Sequence, residues 1–290
     1  MMPGANRAEH LLDQSYRHCR QVVLAARSNL GRAFWLLKPA QRQGMDALYA
    51  FARQADDLVD SNACETDRRA ALAEFRHNFE AALAGTPPGM LFPALIDTIE
   101  RYQIPPQHCF DLLDGCAMDL APRRYANWEE LRQYCLRVAS SVGLACLRIW
   151  GCQDERALQP AIDCGLALQL TNILRDIRSD AELGRIYLPQ DELARFGITD
   201  AELLAGKEVP GSGELIRFQV ERAKQLYASA KTGQQFVPEP AKRLYWLMHQ
   251  TYEKLLLRIE ADPTASLRKR VKLTRSTQLW LAARAVLRLV

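Results

Sequence analysis

The sequence predicts an all-α protein forming one domain over residues 1–290. Three observations carry that reading. Apolar residues recur at three- and four-residue spacing over long windows, no segment alternates apolar and polar residues with a period of two, and Gly/Pro clusters separate the periodic windows. The clusters fall in order at GTPPG (85–89), Pro105-Pro106, Gly151, Gly184 to Pro189, VPGSG (209–213), VPEP (237–240) and Asp262-Pro263. Between them about ten helices fit. Asn127 followed by Glu130, and Thr199 followed by Glu202, have the spacing of helix N-caps.

Composition excludes several classes. Of 290 residues, 48% are hydrophobic and 25% charged, which supplies a sizeable core for a globular chain. A net charge of +4 with no nucleic-acid-binding motif gives no footprint for DNA or RNA. No stretch reaches the roughly 18 apolar residues of a membrane span; the nearest, Ser140 to Cys152, is interrupted by Arg148. The N-terminal MMPGANRAEHLLDQ has no apolar signal core, so a cytoplasmic location is expected. Eight scattered cysteines without a CxxC pair, several inside apolar helical patterns (Cys135, Cys146, Cys164), are expected to be reduced thiols. The last segment, RKRVKLTRSTQLWLAARAVLRLV (within 267–290), is basic and amphipathic. It reads either as a final helix packed on the body or as peripheral contact with the anionic inner surface of a membrane.

Chemistry concentrates in two helical windows. In DALYAFARQADDLVD (46–60), Asp56 and Asp60 lie one turn apart, with Cβ atoms about 6 Å from each other, and Arg53 and Tyr49 extend the stripe backwards. Asp57 lies beside it. In CGLALQLTNILRDIRSD (164–180), Asp176 and Asp180 repeat the spacing behind Asn172 and Gln169, on a helix otherwise lined by Leu166, Leu168, Leu170, Ile173 and Leu174. Carboxylates on so apolar a helix need a cation, because an unpaired buried charge is costly. Both stripes offer oxygen donors only, which suits a hard cation, Mg²⁺ above all when a phosphate completes the shell. Arg53, Arg175 and Arg185 are close in sequence, and guanidinium forks grip phosphate oxygens. Such a set would draw electrons into a leaving diphosphate. A single aspartate pair is more often a solvated helix face; two pairs so framed leave both readings open on spacing alone.

At these residues the sequence resembles the squalene/phytoene synthase family, from about residue 15 to about 285. The matching segments are LYAFARQADDLVD (48–60), DGCAMDL (114–120), RYANWEELRQYCLRVASSVGL (124–144) and LALQLTNILRDIRSDAELGRIYLPQDEL (166–193). The resemblance implies an all-α, single-domain isoprenoid synthase fold with a central active-site cavity, and a prenyltransferase that condenses two prenyl diphosphates head to head (1′–1). It implies that Asp56, Asp60, Asp176 and Asp180 hold two or three Mg²⁺ ions with the substrate diphosphate. Arg53, Arg175 and Arg185 would bind diphosphate, with Tyr245 a weaker match for substrate binding. Tyr49, Tyr134 and Tyr187 would line the reacting centre, with Arg53, Gln169 and Asn172 among the catalytic groups. For Tyr134 and Tyr245 the plain alternative is a core aromatic.

Two positions depart from the family pattern. Ser179 stands where the second motif usually carries an extra acid, and Asn29-Leu30-Gly31 stands where Ser-Phe-Ser-type residues meet a second diphosphate. Within the family, DGCAMDL and RIYLPQDEL resemble both presqualene diphosphate synthases and phytoene synthases. The sequence reading favours two C15 farnesyl diphosphates giving presqualene diphosphate or squalene; its alternative is two C20 geranylgeranyl diphosphates giving phytoene. NADPH enters only if the product is squalene. Outside that pair stand a class I terpene cyclase and a catalytically silent subunit that binds lipid diphosphates.

Overall fold

A computed structural model describes residues 3–26, 29–61, 63–121 and 123–287, with the backbone alone at residues 3–8, 29 and 30. The chain runs α1 (Pro3–Ala25), α2 (Asn29–Ala33), α3 (Pro39–Val59), α4 (Glu65–Leu83), α5 (Phe92–Tyr102), α6 (Gln107–Ala117), α7 (Trp128–Cys135) and α8 (Ser141–Trp150). It continues through α9 (Leu158–Glu182), α10 (Gln190–Arg195), α11 (Asp200–Leu204), α12 (Ser212–Thr232), α13 (Ala241–Ala261), α14 (Ala265–Arg268) and α15 (Arg275–Val286). No strand occurs among the described residues, as the absence of period-two patterning predicts. The helices exceed the expected ten because short ones such as α2, α10, α11 and α14 are below the length at which 3.6-residue periodicity is legible.

The local signals have their expected causes. Asn127 caps α7, its side chain accepting from Glu130 N at 3.1 Å, while Glu130 Oε2 accepts from Ala126 N at 2.8 Å. Thr199 and Glu202 form a reciprocal capping box at α11. All eight thiols are free, and all but Cys64 are buried.

α9 is the axle of the fold. It packs against α12, α8, α13, α7 and α14, and against a π-helical turn (Leu136–Ser140) between α7 and α8. Backbones meet closely there: a Cβ on Gly165 would sit 2.5 Å from Ser140 Cα, so only glycine fits. The turn widens the helix two residues after Tyr134. Two cores flank α9. One runs through the rings of Phe51, Phe75, Phe79 and Phe92 between α3, α4 and α5; the other joins Tyr125, Leu131, Leu170, Tyr227 and Leu256.

The C-terminal segment differs from the expectation of one helix over 267–290. α14 ends at Arg268, residues 269–274 run as a non-helical strap, and a helix resumes at Arg275. Thr274 caps it, accepting from Thr277 N. Residues 288–290 lie outside the described residues.

Candidate active site

Both aspartate pairs sit at helix C-termini. Asp60 is the C-cap of α3, and Asp180 lies in the last turn of α9. A helix C-terminus carries partial negative charge, so carboxylates gathered there call for cations. The protein supplies guanidinium groups. Arg185 Nη1 donates to Asp60 Oδ1 at 2.8 Å, joining the strand of chain after α9 to the end of α3. It arrives there through a tight C-cap: Gly184 adopts φ 72° and Arg185 N returns to Asp180 O at 2.9 Å. Asp176 is held by its neighbour Arg175 through two guanidinium nitrogens, Nε and Nη2, and by Arg270 of the strap at 2.8 Å. Asp56 has one weak partner, the Cys116 thiol at 3.7 Å.

The two pairs share a centre that their spacing did not reveal, Asp119. Its carboxylate accepts from the Tyr134 hydroxyl at 2.7 Å and the Tyr187 hydroxyl at 2.9 Å, and its backbone carbonyl accepts from Arg185 at 3.4 Å. Its charge is felt by Asp56 and Asp180 alike. Tyr134 and Tyr187 stack at 5.2 Å between centroids, and Tyr125 packs against both. Burial raises the Asp119 carboxyl above its ordinary range, against the two tyrosine hydrogen bonds that pull it down. Two adjoining recesses open at this point, of about 220 and 190 Å³ including their open mouths. Asp180, Arg185 and Tyr187 line one; Asp119, Tyr125, Arg185 and Tyr187 line the other.

The remaining sequence-predicted residues divide. Gln169 and Asn172 meet on α9, Asn172 Nδ2 donating to Gln169 Oε1 at 3.3 Å. Arg53 makes its ion pair with Asp57 at 2.6 Å, and Asp56 feels only its nearby charge. Tyr49 stands edge-on to Phe34 at 6.1 Å. Tyr245 lies apart: it is buried, its hydroxyl donates to Ala230 O at 2.6 Å, and its ring meets Trp150, so its surroundings are those of a core tyrosine. Ser179 bonds the Asp176 carbonyl at 2.9 Å and adds no charge. The side chains of Asn29 and Leu30 lie outside the described residues.

Among the described residues, no three carboxylates are gathered into a ready coordination shell. Asp60 and Asp176 are paired with guanidinium groups instead. The donor set nonetheless fits a hard cation. Asn172 Oδ1 is a buried oxygen without a hydrogen-bond partner, on the stripe that carries Asp176 and Asp180. Burial of its carboxyl, with Asp60 next, raises Asp56 to about 6, although the residue as a whole is exposed. Burial, with Asp176 next, raises Asp180 to about 7.

These shifts have a thermodynamic sign. A carboxyl that titrates higher folded than unfolded (about 3.9) adds stability below the unfolded value and loses it as pH rises through about 6 to 7. A cation competes with those protons. Mg²⁺ with inorganic diphosphate is therefore expected to raise Tm more at about pH 8 than at about pH 5.5, and Asp180→Asn to raise the metal-free Tm at the higher pH. Equal Mg²⁺ shifts at both pH values in calorimetry would contradict this.

Comparison with known proteins gives the family. Residues 25–277 match the family model described as squalene/phytoene synthase. A phytoene synthase of Arthrospira platensis is 36% identical over 261 residues, spanning 86% of this chain and 84% of that protein. A 15-cis-phytoene synthase of Synechococcus elongatus is 33% identical over 283 residues, spanning 93% and 92%. Among solved structures, squalene synthase HpnC of Alicyclobacillus acidocaldarius shares the fold with a TM-score of 0.80 at 30% identity, over 86% of this chain and 94% of that one.

Proposed function

The chain belongs to the squalene/phytoene synthase family and is a prenyltransferase of that all-α fold; on that premise we propose that it joins two geranylgeranyl diphosphates head to head to give phytoene, releasing both diphosphates. The observation that carries the C20 choice is that relatives at 33–36% identity over most of both chains bear the name phytoene synthase. The preference for C15 gives way to it; DGCAMDL and RIYLPQDEL, which resemble both branches, do not separate the two. One observation keeps farnesyl diphosphate and a presqualene diphosphate or squalene product as a second reading: the 30% identity to a squalene synthase over 86% of the chain.

In this reading Asp56, Asp60, Asp176, Asp180 and the orphaned Asn172 Oδ1 would hold Mg²⁺, two or three ions with the diphosphate, which supplies electrophilic pull on the departing diphosphate oxygens. The chain's own residues do the rest. Arg53, Arg175 and Arg185 exchange carboxylate partners for phosphate oxygens, each a forked, charge-assisted contact. Tyr134 and Tyr187 present a stacked pair of π faces, fixed by Asp119, to the allylic cation left when diphosphate departs. The apolar wall of α9 (Ile173, Ile177) keeps that cation from water. Peripheral membrane contact belongs to the same reading and is argued below.

Product analysis separates the possibilities. With Mg²⁺, geranylgeranyl diphosphate is expected to give a C40 hydrocarbon without NADPH, and EDTA to stop diphosphate release. A C30 product from farnesyl diphosphate, with geranylgeranyl diphosphate untouched, would restore the C15 reading; a C30 hydrocarbon appearing only with NADPH would identify squalene. If both diphosphates stay intact, the chain is a silent binder of lipid diphosphates. A monomeric C15 product without coupling would indicate a terpene cyclase.

A further inference from the structure

α15 is built inside out. On a surface helix the apolar side faces the body and the polar side faces water. Here Leu281 and Ala285 are buried against α13, yet the opposite face is also apolar: Leu279 is 71% exposed, Trp280 49% and Leu287 65%, with exposed Ala283 and Val286 between them. Their three- and four-residue spacing sets all five in one row. No described helix is long and apolar enough to cross a membrane, so this row is not the flank of a span.

Charge accompanies the row. The Arg284 guanidinium lies between the rings of Trp246 and Trp280, at 5.1 and 5.0 Å, which stiffens Trp280 against the helix. Lys269, Lys272 and Arg275, on the strap and at the first turn of α15, are exposed and have no carboxylate partner among the described residues. The strap also ties this face to the active site. Arg270 is bound to Asp176, and the five residues to Arg275 reach at most about 17 Å.

We propose that the outer face of α15, with the cations of the strap, docks the protein on an anionic lipid bilayer. An apolar row with an interfacial tryptophan and flanking lysines and arginines matches the acyl–headgroup boundary of such a surface. A second copy of this chain fits less well. A two-fold contact would set the same cations against each other, and five side chains of one short helix present well under the roughly 800 Å² per partner of a standard interface. The proposal deepens the reading above, since the substrate and product handled there are lipids, but its test requires no turnover.

The test is co-sedimentation of the full chain with vesicles of phosphatidylcholine alone and with about 30 mol% phosphatidylglycerol. Binding at least about tenfold stronger to the anionic vesicles is expected, because each cation at such a surface raises partitioning about fivefold. Leu279→Glu with Trp280→Glu is expected to lower that binding at least tenfold, and Lys272→Glu with Arg275→Glu to remove the preference for phosphatidylglycerol. Leu279→Ser with Leu287→Ser serves as a milder pair; far-UV circular dichroism identical to wild type accompanies each comparison. Wild-type protein that stays in the supernatant, or a Leu279/Trp280 variant that binds undiminished, overturns the proposal. So does a concentration-dependent dimer abolished by the same substitutions, which would assign the face to a second copy.

Discussion

Asp176→Ala is expected to lower turnover of a prenyl diphosphate by about three orders of magnitude or more, and Asp56→Ala by a similar factor. The reasoning begins with what each carboxylate does in the resting fold. Asp176 neutralises two guanidinium groups, one from Arg175 beside it and one from Arg270 on the strap, 94 residues away in sequence. Removing it takes an oxygen ligand from the second stripe and leaves Arg175 partly buried without its carboxylate. Both kcat and thermal stability should fall. Asp56 is different. Among the described residues its one side-chain hydrogen bond is to a thiol, and its surroundings raise its carboxyl to about 6, so the fold gains nothing from its charge. Its removal should leave Tm level or higher while activity is lost. That contrast makes the pair a sharper test than either alone. Diphosphate release, far-UV circular dichroism and Tm read together should show equal losses of activity with opposite effects on stability. Near-normal activity in either variant would remove the role assigned to the aspartate pairs.

Much of the site was legible because it is local. That Asp56 and Asp60, and likewise Asp176 and Asp180, share a helix face follows from helix periodicity, and so do the caps at Asn127 and Thr199; the aspartates' proposed role came from the resemblance. What sequence spacing left open is which neighbour wins. Arg53 is three residues from Asp56 and four from Asp57, both within reach on a helix, and the structure pairs it with Asp57 at 2.6 Å. Arg185 was expected to face phosphate, and in the resting fold it spans 125 residues to Asp60. The strap at 269–274 was hidden for another reason: its basic run continues the composition of α15, so nothing but Thr274 marks where the helix starts. Tyr245 came from resemblance alone, and its hydroxyl bond to Ala230 O is a contact no periodicity announces.

Asp119 was the residue most fully missed, and its substitution is the second large effect. It stands in DGCAMDL, just past the end of α6, with no acid at helical spacing to form a stripe. Its partners are Tyr134 and Tyr187, 15 and 68 residues away, so only the folded chain assembles them. Asp119→Ala would take away the carboxylate that accepts from both tyrosine hydroxyls and leave them only each other, so that one of the two donors, with the buried Tyr134 involved, goes unmet. An unmet buried donor costs about 1–3 kcal/mol, and at this chain length each kcal/mol moves Tm by roughly 2 °C. A fall in Tm of about 2–6 °C is expected. The catalytic effect should be larger than the stability effect explains, because both rings lose the bond that fixes them beside Arg185 and the recess. A decrease in kcat of about 10²-fold, with KM changed less, is expected for protein assayed well below its Tm. Asp119→Asn discriminates further. It preserves the shape and one acceptor oxygen, so Tm should be largely restored while the charge between the two aspartate pairs is lost. If Asp119→Asn recovers activity along with Tm, Asp119 is a post for the tyrosines and nothing more. If Tm recovers and kcat does not, its negative charge between α3 and α9 takes part in holding the cations that the diphosphate brings.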